Sequence, residues 1–370
     1  MEMEDYERMC KEFHLKVPKH FNFGFDVIDK WAKGKTRLAL RFVDQSGQKQ
    51  EDYTFQDLSA LSNKFANVLK KLSVQKGDRV LLVLPKIPQW YIALLGMIKL
   101  NIVPIPVTVS CTSEDIEYRL NQAMAKIIIT DFDNIPKIEA IKNKCPSLKA
   151  LILVGEKRDG WISYETEMEK ASRRLKKTKT RNNDRLMIYF TSGTTGHPKM
   201  VIHESSYALA HLITAKFWQD LKPTDLHWTF VPDIGWAKTA WGCFGQWIIG
   251  AAIFLHAGKG RFDPKLTLEL IETYGITTFC AAPGAYKIML QEDLEKYNLK
   301  KLRYCCSAGT YLSPEVIEVW QEKTGLQIHD GFGQDFSMAM TTTGKIQKKK
   351  LREILIKELG LEEENKIETA

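Results

Sequence analysis

The 370-residue sequence is 44% hydrophobic and 26% charged, a globular composition with room for a large core. It carries no internal repeat and no low-complexity tract, which excludes repeat and compositionally biased architectures. The formal charge of +8 suits a phosphate-rich ligand, but ordinary surface lysine gives the same excess.

The chain opens on MEMEDYERMCKEF, which is acidic and has no apolar core. It matches neither an arginine-rich presequence nor a secretory signal, so the residues alone point to the cytosol. Arg79 to Leu84 (RVLLVL) is a continuous apolar run of strand length. A helical pattern through Trp90, Leu94, Met97 and Ile98 follows, and then a second apolar run from Ile102 to Val107. This is a βαβ unit, and strands buried on both faces read as unbroken apolar runs. The strand pattern repeats at Ala125 to Thr130 and Leu151 to Val154. The expected fold class is α/β with a mostly parallel sheet.

Lys170 to Arg185 (KASRRLKKTKTRNNDR) is dense in basic residues but has no interleaved aromatics. It reads as a solvated connector, and no nucleic-acid partner is expected. Strand Leu186 to Phe190, a Gly/Thr loop and a helical pattern from Ser205 to Trp218 come next. The apolar run Trp247 to Leu255 is too short to cross a bilayer. Helix Lys265 to Tyr274 and strand Thr277 to Ala281 form another pair. After a strand around Tyr304, Ser313-Pro314 supplies an N-cap and an N1 proline for a helix through Trp320. Beyond residue 340, Leu351, Ile354, Leu355 and Leu359 give one apolar helical face too small to fold by itself.

Seven scattered cysteines, odd in number and without a C-x-x-C pair, argue for a reducing compartment and against disulfides or structural zinc. The eight histidines lack ligand spacing, and His197 and His203 read as a loop residue and a helix-start residue.

Tyr189 to Lys199, YFTSGTTGHPK, carries the most chemistry. Behind an apolar strand it packs two glycines, three threonines and a serine into six residues, and it ends on a lysine. Phosphate needs convergent backbone N–H groups, hydroxyls and a cation, and this loop offers all three. It is not a Walker A loop, because Lys199 follows His197-Pro198 rather than glycine, and it is not G-x-G-x-x-G.

S-G-T-T-G-x-P-K after such a strand resembles the signature of the adenylate-forming enzymes: acyl-CoA synthetases, luciferases and peptide-synthetase adenylation domains. VPDIGWAKTAW (Val231 to Trp241), FCAAPGAYKIML and CSAGTYLSPEVIEVW resemble further segments of that family. NFGFDVIDKWAKG and Ile234-Gly235-Trp236 resemble its medium-chain acyl-CoA synthetases. The resemblance implies ATP-dependent ligation of a medium-chain fatty or aromatic acid to coenzyme A through an acyl-adenylate, with Mg²⁺. It implies that Thr191, Ser192, Gly193, Thr194, Thr195, Gly196 and Lys199 hold the ATP phosphates. Gly309 and Gly331-Phe332-Gly333-Gln334 fall on the nucleotide loops, Trp236 and Ala237 line the acyl pocket, and Trp241 is either pocket or core. Lys345 in T-G-K-I-Q is the expected catalytic lysine. The family implies the mitochondrial matrix, against the reading of the N-terminus.

The pattern then breaks. The family's G-Y-G-Q-T-E reads G-F-G-Q-D-F here, and Phe336 stands where a glutamate helps hold Mg²⁺. An aromatic ring cannot ligate a hard cation. Within a few residues, between Gln334 and Thr341, the chain jumps to the lysine loop. The resemblance therefore implies an internal deletion: a partial large domain over 1–336 and a remnant of the small domain over 337–370. Such a chain is expected to form thioester weakly or not at all. The alternative is a non-catalytic nucleotide- or acyl-binding remnant.

Overall fold

Asp44 makes the turn between the first two strands. Its carboxylate accepts hydrogen bonds from Ser46 Oγ at 2.8 Å and from the amides of Gln48 and Lys49 at 3.1 Å each. That closes the hairpin of β1 (Leu38–Val43) and β2 (Gln50–Thr54). Thr54 then starts helix α1 (Phe55–Lys71) through a reciprocal capping box with Asp57. The computed structural model describes residues 8, 12–34, 36–191 and 198–331. Residues up to Asp330 form one compact unit.

The predicted βαβ unit is present as β3 (Arg79–Val83), α2 (Pro88–Lys99) and β4 (Val103–Pro106). Gly96 of α2 lets α1 approach closely, since a β-carbon there would stand 2.9 Å from Phe65 Cδ1 and 3.0 Å from the Ser62 carbonyl. Helix α3 (Ser113–Ala123), started by a Thr112–Asp115 capping box, leads to β5 (Ile127–Asp131), and then come β6 (Ala150–Val154) and β7 (Ile162–Ser163). These strands build a parallel sheet in the order β4-β3-β5-β6-β7.

Helix α4 (Tyr164–Lys170) ends where the basic segment begins. The segment is more than a solvated connector. Its lysines include Lys177, 62% exposed and paired with Asp26, yet its backbone is strapped down. Asn63 and Asn67 on α1 donate to the carbonyls of Arg173, Ser172 and Arg174, and Thr180 is buried against Asn22 and Asn101.

The second half contributes β8 (Arg185–Thr191), β9 (Lys199–Glu204), α5 (Ser205–Ile213), β10 (Leu226–Thr229), α6 (Phe244–Ile249) and β11 (Ala252–His256). The apolar run Trp247 to Leu255 is therefore a helix end and a strand, broken at Gly250 with φ +90°. α7 (Pro264–Tyr274), β12 (Thr278–Ala281), α8 (Pro283–Met289), β13 (Tyr304–Ser307), α9 (Pro314–Thr324) and β14 (Ile328–Asp330) follow. The larger sheet runs β14-β13-β12-β10-β11-β1-β2, parallel except for the β1–β2 pair. The α/β expectation holds. Ser313 is the N-cap of α9 as expected, but its side chain makes no capping hydrogen bond.

Among the described residues, no helix is long and apolar enough to cross a membrane. Six cysteines, including Cys243, Cys280, Cys305 and Cys306, are free and buried.

Candidate active site

Ligands of open parallel sheets collect beyond the carboxyl ends of the strands. Here that edge brings together the loops after β3, β4, β10, β11, β12 and β13. Asp233, in the loop after β10, ties two of them. Its Oδ2 accepts from Thr108 Oγ1 at 2.6 Å and from the Val109 amide at 3.0 Å, while Oδ1 accepts from the Gly235 amide at 2.7 Å. Gly235 itself presses on the chain after β4, and a β-carbon there would overlap the Thr108 nitrogen and the Val107 carbonyl carbon. The loop carrying Trp236 is thus held from both ends of a short turn.

Trp236 precedes a 3₁₀ turn, Ala237–Gly242, and is 46% exposed. Ala237 is exposed beside it. Trp241 points elsewhere. It is partly buried edge-on against Trp218, with ring centroids 5.8 Å apart, and its carbonyl accepts from Gln246 Nε2 at 2.6 Å. Lys238, between them, reaches the loop after β13. Its Nζ occupies the place a β-carbon on Gly309 would take, and Gly309 has φ +117°. The turn bearing the acyl-pocket candidates and the loop bearing a nucleotide candidate therefore touch through one ammonium group.

Thr191 and Lys199, the two described phosphate-binding candidates, sit on the facing arms of a hairpin. β8 and β9 are antiparallel, with Thr191 paired to Lys199 and Phe190 to Met200. Both Thr191 and Lys199 are exposed, so the arms of the hairpin bring a hydroxyl and a cation side by side. The base is fixed to α3, because Tyr118 donates to the Pro198 carbonyl at 3.3 Å and Arg119 covers the Phe190 ring at 5.5 Å. β9 corrects the placing of His203, which lies in that strand and stacks on Tyr207 at 4.0 Å instead of starting the helix. Val201 and Ile202 are β-branched and 36% and 41% exposed, which marks a half-exposed strand rather than a helix start.

Ser192, Gly193, Thr194, Thr195 and Gly196 lie outside the described residues, as do Phe332, Gly333, Gln334, Phe336, Lys345 and the proposed junction. Gly331 directly follows Asp330 at the end of β14. That edge is anchored by Trp218, whose Nε1 donates to the His329 carbonyl at 3.3 Å and whose own carbonyl accepts from Tyr304 Oη at 2.9 Å. Among the described residues no group of three His, Cys, Asp or Glu could hold a metal ion.

Sequence reasoning missed Asp233, Gly235 as a packing residue, and Lys238. The Asp-x-Gly spacing of a turn was available for the first two. Lys238 had no signal, because only the fold sets it against Gly309.

A family model described as "AMP-binding enzyme" matches residues 28–353. The chain is 40% identical over 340 residues to acyl-coenzyme A synthetase ACSM3, mitochondrial, of Homo sapiens, covering 89% of this chain and 58% of that protein. It is 38% identical over 344 residues to acyl-coenzyme A synthetase ACSM4, mitochondrial, of Rattus norvegicus, covering 90% and 58%. The chain thus spans 58% of the length of these curated relatives. An acyl-CoA synthetase of Brucella canis superposes with a TM-score of 0.81 at 23% identity, over 92% of this chain and 66% of that one. The anthranilate CoA ligase AuaEII, solved with anthranoyl-AMP, gives 0.77 at 22% identity, over 90% and 68%. At those identities the two structures speak for the fold.

Proposed function

The chain belongs to the AMP-binding enzyme family, and from that premise we propose that it binds ATP and a medium-chain fatty or aromatic acid at the carboxyl edge of its sheets. The parent chemistry is a two-step ligation. The acid's carboxylate attacks the α-phosphate of ATP and expels pyrophosphate, and the sulfur of coenzyme A then displaces AMP from the mixed anhydride. Two anions meet in the first step, so the site must supply cations and oriented donors.

The hairpin carries this reading. Thr191 and Lys199 pair across its arms, and the stretch between them is the S-G-T-T-G-x-P sequence. In the proposed arrangement Thr191, Ser192, Gly193, Thr194, Thr195, Gly196 and Lys199 hold the β- and γ-phosphates. Gly309 and Gly331 to Gln334 flank the nucleotide, Trp236 and Ala237 face the acyl chain, and Lys345 supplies the mobile charge at the reacting carboxylate. The packing of Trp241 on Trp218 favours a core role for Trp241. The relatives' location, mitochondrial, extends to this chain as part of the proposal.

Turnover is proposed to be weak. Phe336 cannot replace a carboxylate as a Mg²⁺ ligand, and among the described residues no group of three His, Cys, Asp or Glu could hold a metal ion. The short run from Gln334 to Thr341 also lacks the segment that in the family joins the two lobes. A non-catalytic nucleotide- and acyl-binding chain is the second reading, favoured by the same two features. ATP–pyrophosphate exchange with octanoate or benzoate separates them. Exchange near background, with ATP binding retained, is expected, and robust exchange would establish an active ligase.

A further inference from the structure

A cavity of about 20 Å³ lies against the carboxyl-terminal residues of β10 and β11, with Thr239 and Gly242 of the Ala237–Gly242 turn in its wall. Its walls include Tyr91, Trp228 and Ile234, and Lys86, Thr239 and His256 also line it. Thr239 and His256 are 2% and 7% exposed, and Thr239 Oγ1 and His256 Nε2 are buried without a hydrogen-bond partner among the described residues. Glycine at 258 leaves room for the imidazole, since a β-carbon there would stand 2.7 Å from its Cε1. Burial lowers the basicity of both Lys86 and His256, with Asp233 opposing the effect at Lys86.

Buried polar atoms left without partners are destabilising, and native proteins seldom keep two in one cavity unless something else satisfies them. The space admits about one water-sized group. Apolar walls with a hydroxyl, an imidazole nitrogen and an ammonium around such a space suit one oxygen atom carried on an otherwise apolar chain. The turn that contributes Thr239 and Gly242 to the cavity wall begins at Ala237, directly after Trp236, and both of those residues are exposed.

We propose that this cavity is the inner end of the acyl pocket, and that it selects acids bearing a single hydroxyl or keto oxygen at the far end of the chain over plain alkanoic acids. The proposal rests on the acyl-binding reading above. A site built to hydrogen-bond a substrate oxygen discriminates strongly against the analogue lacking it, because the site's own groups are then stranded.

Isothermal titration of the full chain, with AMP present, against plain and ω-hydroxy acids of six to ten carbons tests this. At the matching length the hydroxy acid is expected to bind about ten-fold tighter. Thr239→Val should erase that preference from both sides, weakening the hydroxy acid and tightening the plain acid, whose chain no longer strands a hydroxyl. If Thr239→Val does not fold, Lys86→Met makes the same measurement. Equal affinity for both series at every length, in the wild-type chain, overturns the inference and leaves the acyl-binding reading standing, with the cavity holding water only. Failure to bind any acid overturns both.

Discussion

The ammonium of Lys238 stands where Gly309 would carry a side chain, so the turn after β10 and the loop after β13 meet at a glycine with φ +117°. Lysine can swing away from an added methyl group, whereas the backbone cannot leave a conformation that L-residues avoid. Gly309→Ala should therefore cost about 1–2 kcal/mol, mostly through backbone strain, and weaken AMP binding. Urea denaturation and a nucleotide titration measure the two effects. Unchanged stability would show that the loop relaxes freely.

Gly235 presents the opposite case. Its neighbours are backbone atoms of Val107 and Thr108, which have nowhere to move. Gly235→Ala is expected to cost about 2–4 kcal/mol and to displace Trp236, read as a shift in tryptophan emission. Asp233→Ala, which removes acceptors for Thr108, Val109 and Gly235, should cause a similar emission shift.

Two histidines make the fold acid-sensitive. Burial lowers the pKa of His211 to about 4 and that of His227 to about 3. In the unfolded chain each takes up a proton near pH ~6.5, but in the folded chain only well below that. Stability is therefore full above pH ~6.5 and falls as pH drops toward 4, by about 3 kcal/mol for His211 alone. His211→Phe should remove about one proton from the slope of unfolding free energy against pH near 5, provided the ring keeps its stacking on Phe244.

Arg303 holds Asp225, which is 3% exposed on its side chain, through Nε at 2.9 Å, and Asp220 through Nη1 at 2.9 Å. Burial opposes ionisation of both aspartates, but their hydrogen bonds outweigh it and the net pKa of each lies below the ordinary value. The stabilisation is present above the ordinary aspartate range and is lost as pH falls through the depressed values. Arg303→Met should cost about 2–3 kcal/mol at neutral pH, discounted for the partly exposed guanidinium. A circular-dichroism urea titration at pH 7 and at steps from about pH 4 down to about pH 2 checks it, and the penalty should shrink progressively over that lower range.

Repairing the third motif alone should not restore catalysis. The double substitution Asp335→Thr with Phe336→Glu returns the family's T-E pair but not the segment that the internal-deletion reading holds to be absent. Pyrophosphate exchange is expected to stay near background. Lys199→Met, by contrast, should weaken ATP binding about ten-fold if it makes the charge-assisted phosphate contact proposed for it. A double-substituted chain that exchanges pyrophosphate strongly would refute the internal-deletion reading.

Much of the architecture was written along the chain. Unbroken apolar runs such as Arg79–Leu84 located buried parallel strands, and the helix after Pro314 began where its N1 proline placed it. The stretch Trp247 to Leu255 was less legible. A helix end and a buried strand share the same apolar composition, and only the positive φ of Gly250 divides them. β9 was missed because half-exposed strands carry weak patterns, and its pairing with β8 is a nonlocal fact.

Local chemistry set the residue types: the hydroxyl- and glycine-rich run before Lys199, Phe336 where a carboxylate was expected, and the family those motifs resemble. Those depend on neighbours within a few positions, so the linear chain displays them. Tertiary structure decided which groups meet: Lys238 over Gly309, Asp233 across to Thr108, and Thr239 with His256 around one small cavity. Each pair is separated by many residues, and distance along the chain says nothing about distance in space until the sheets are assembled.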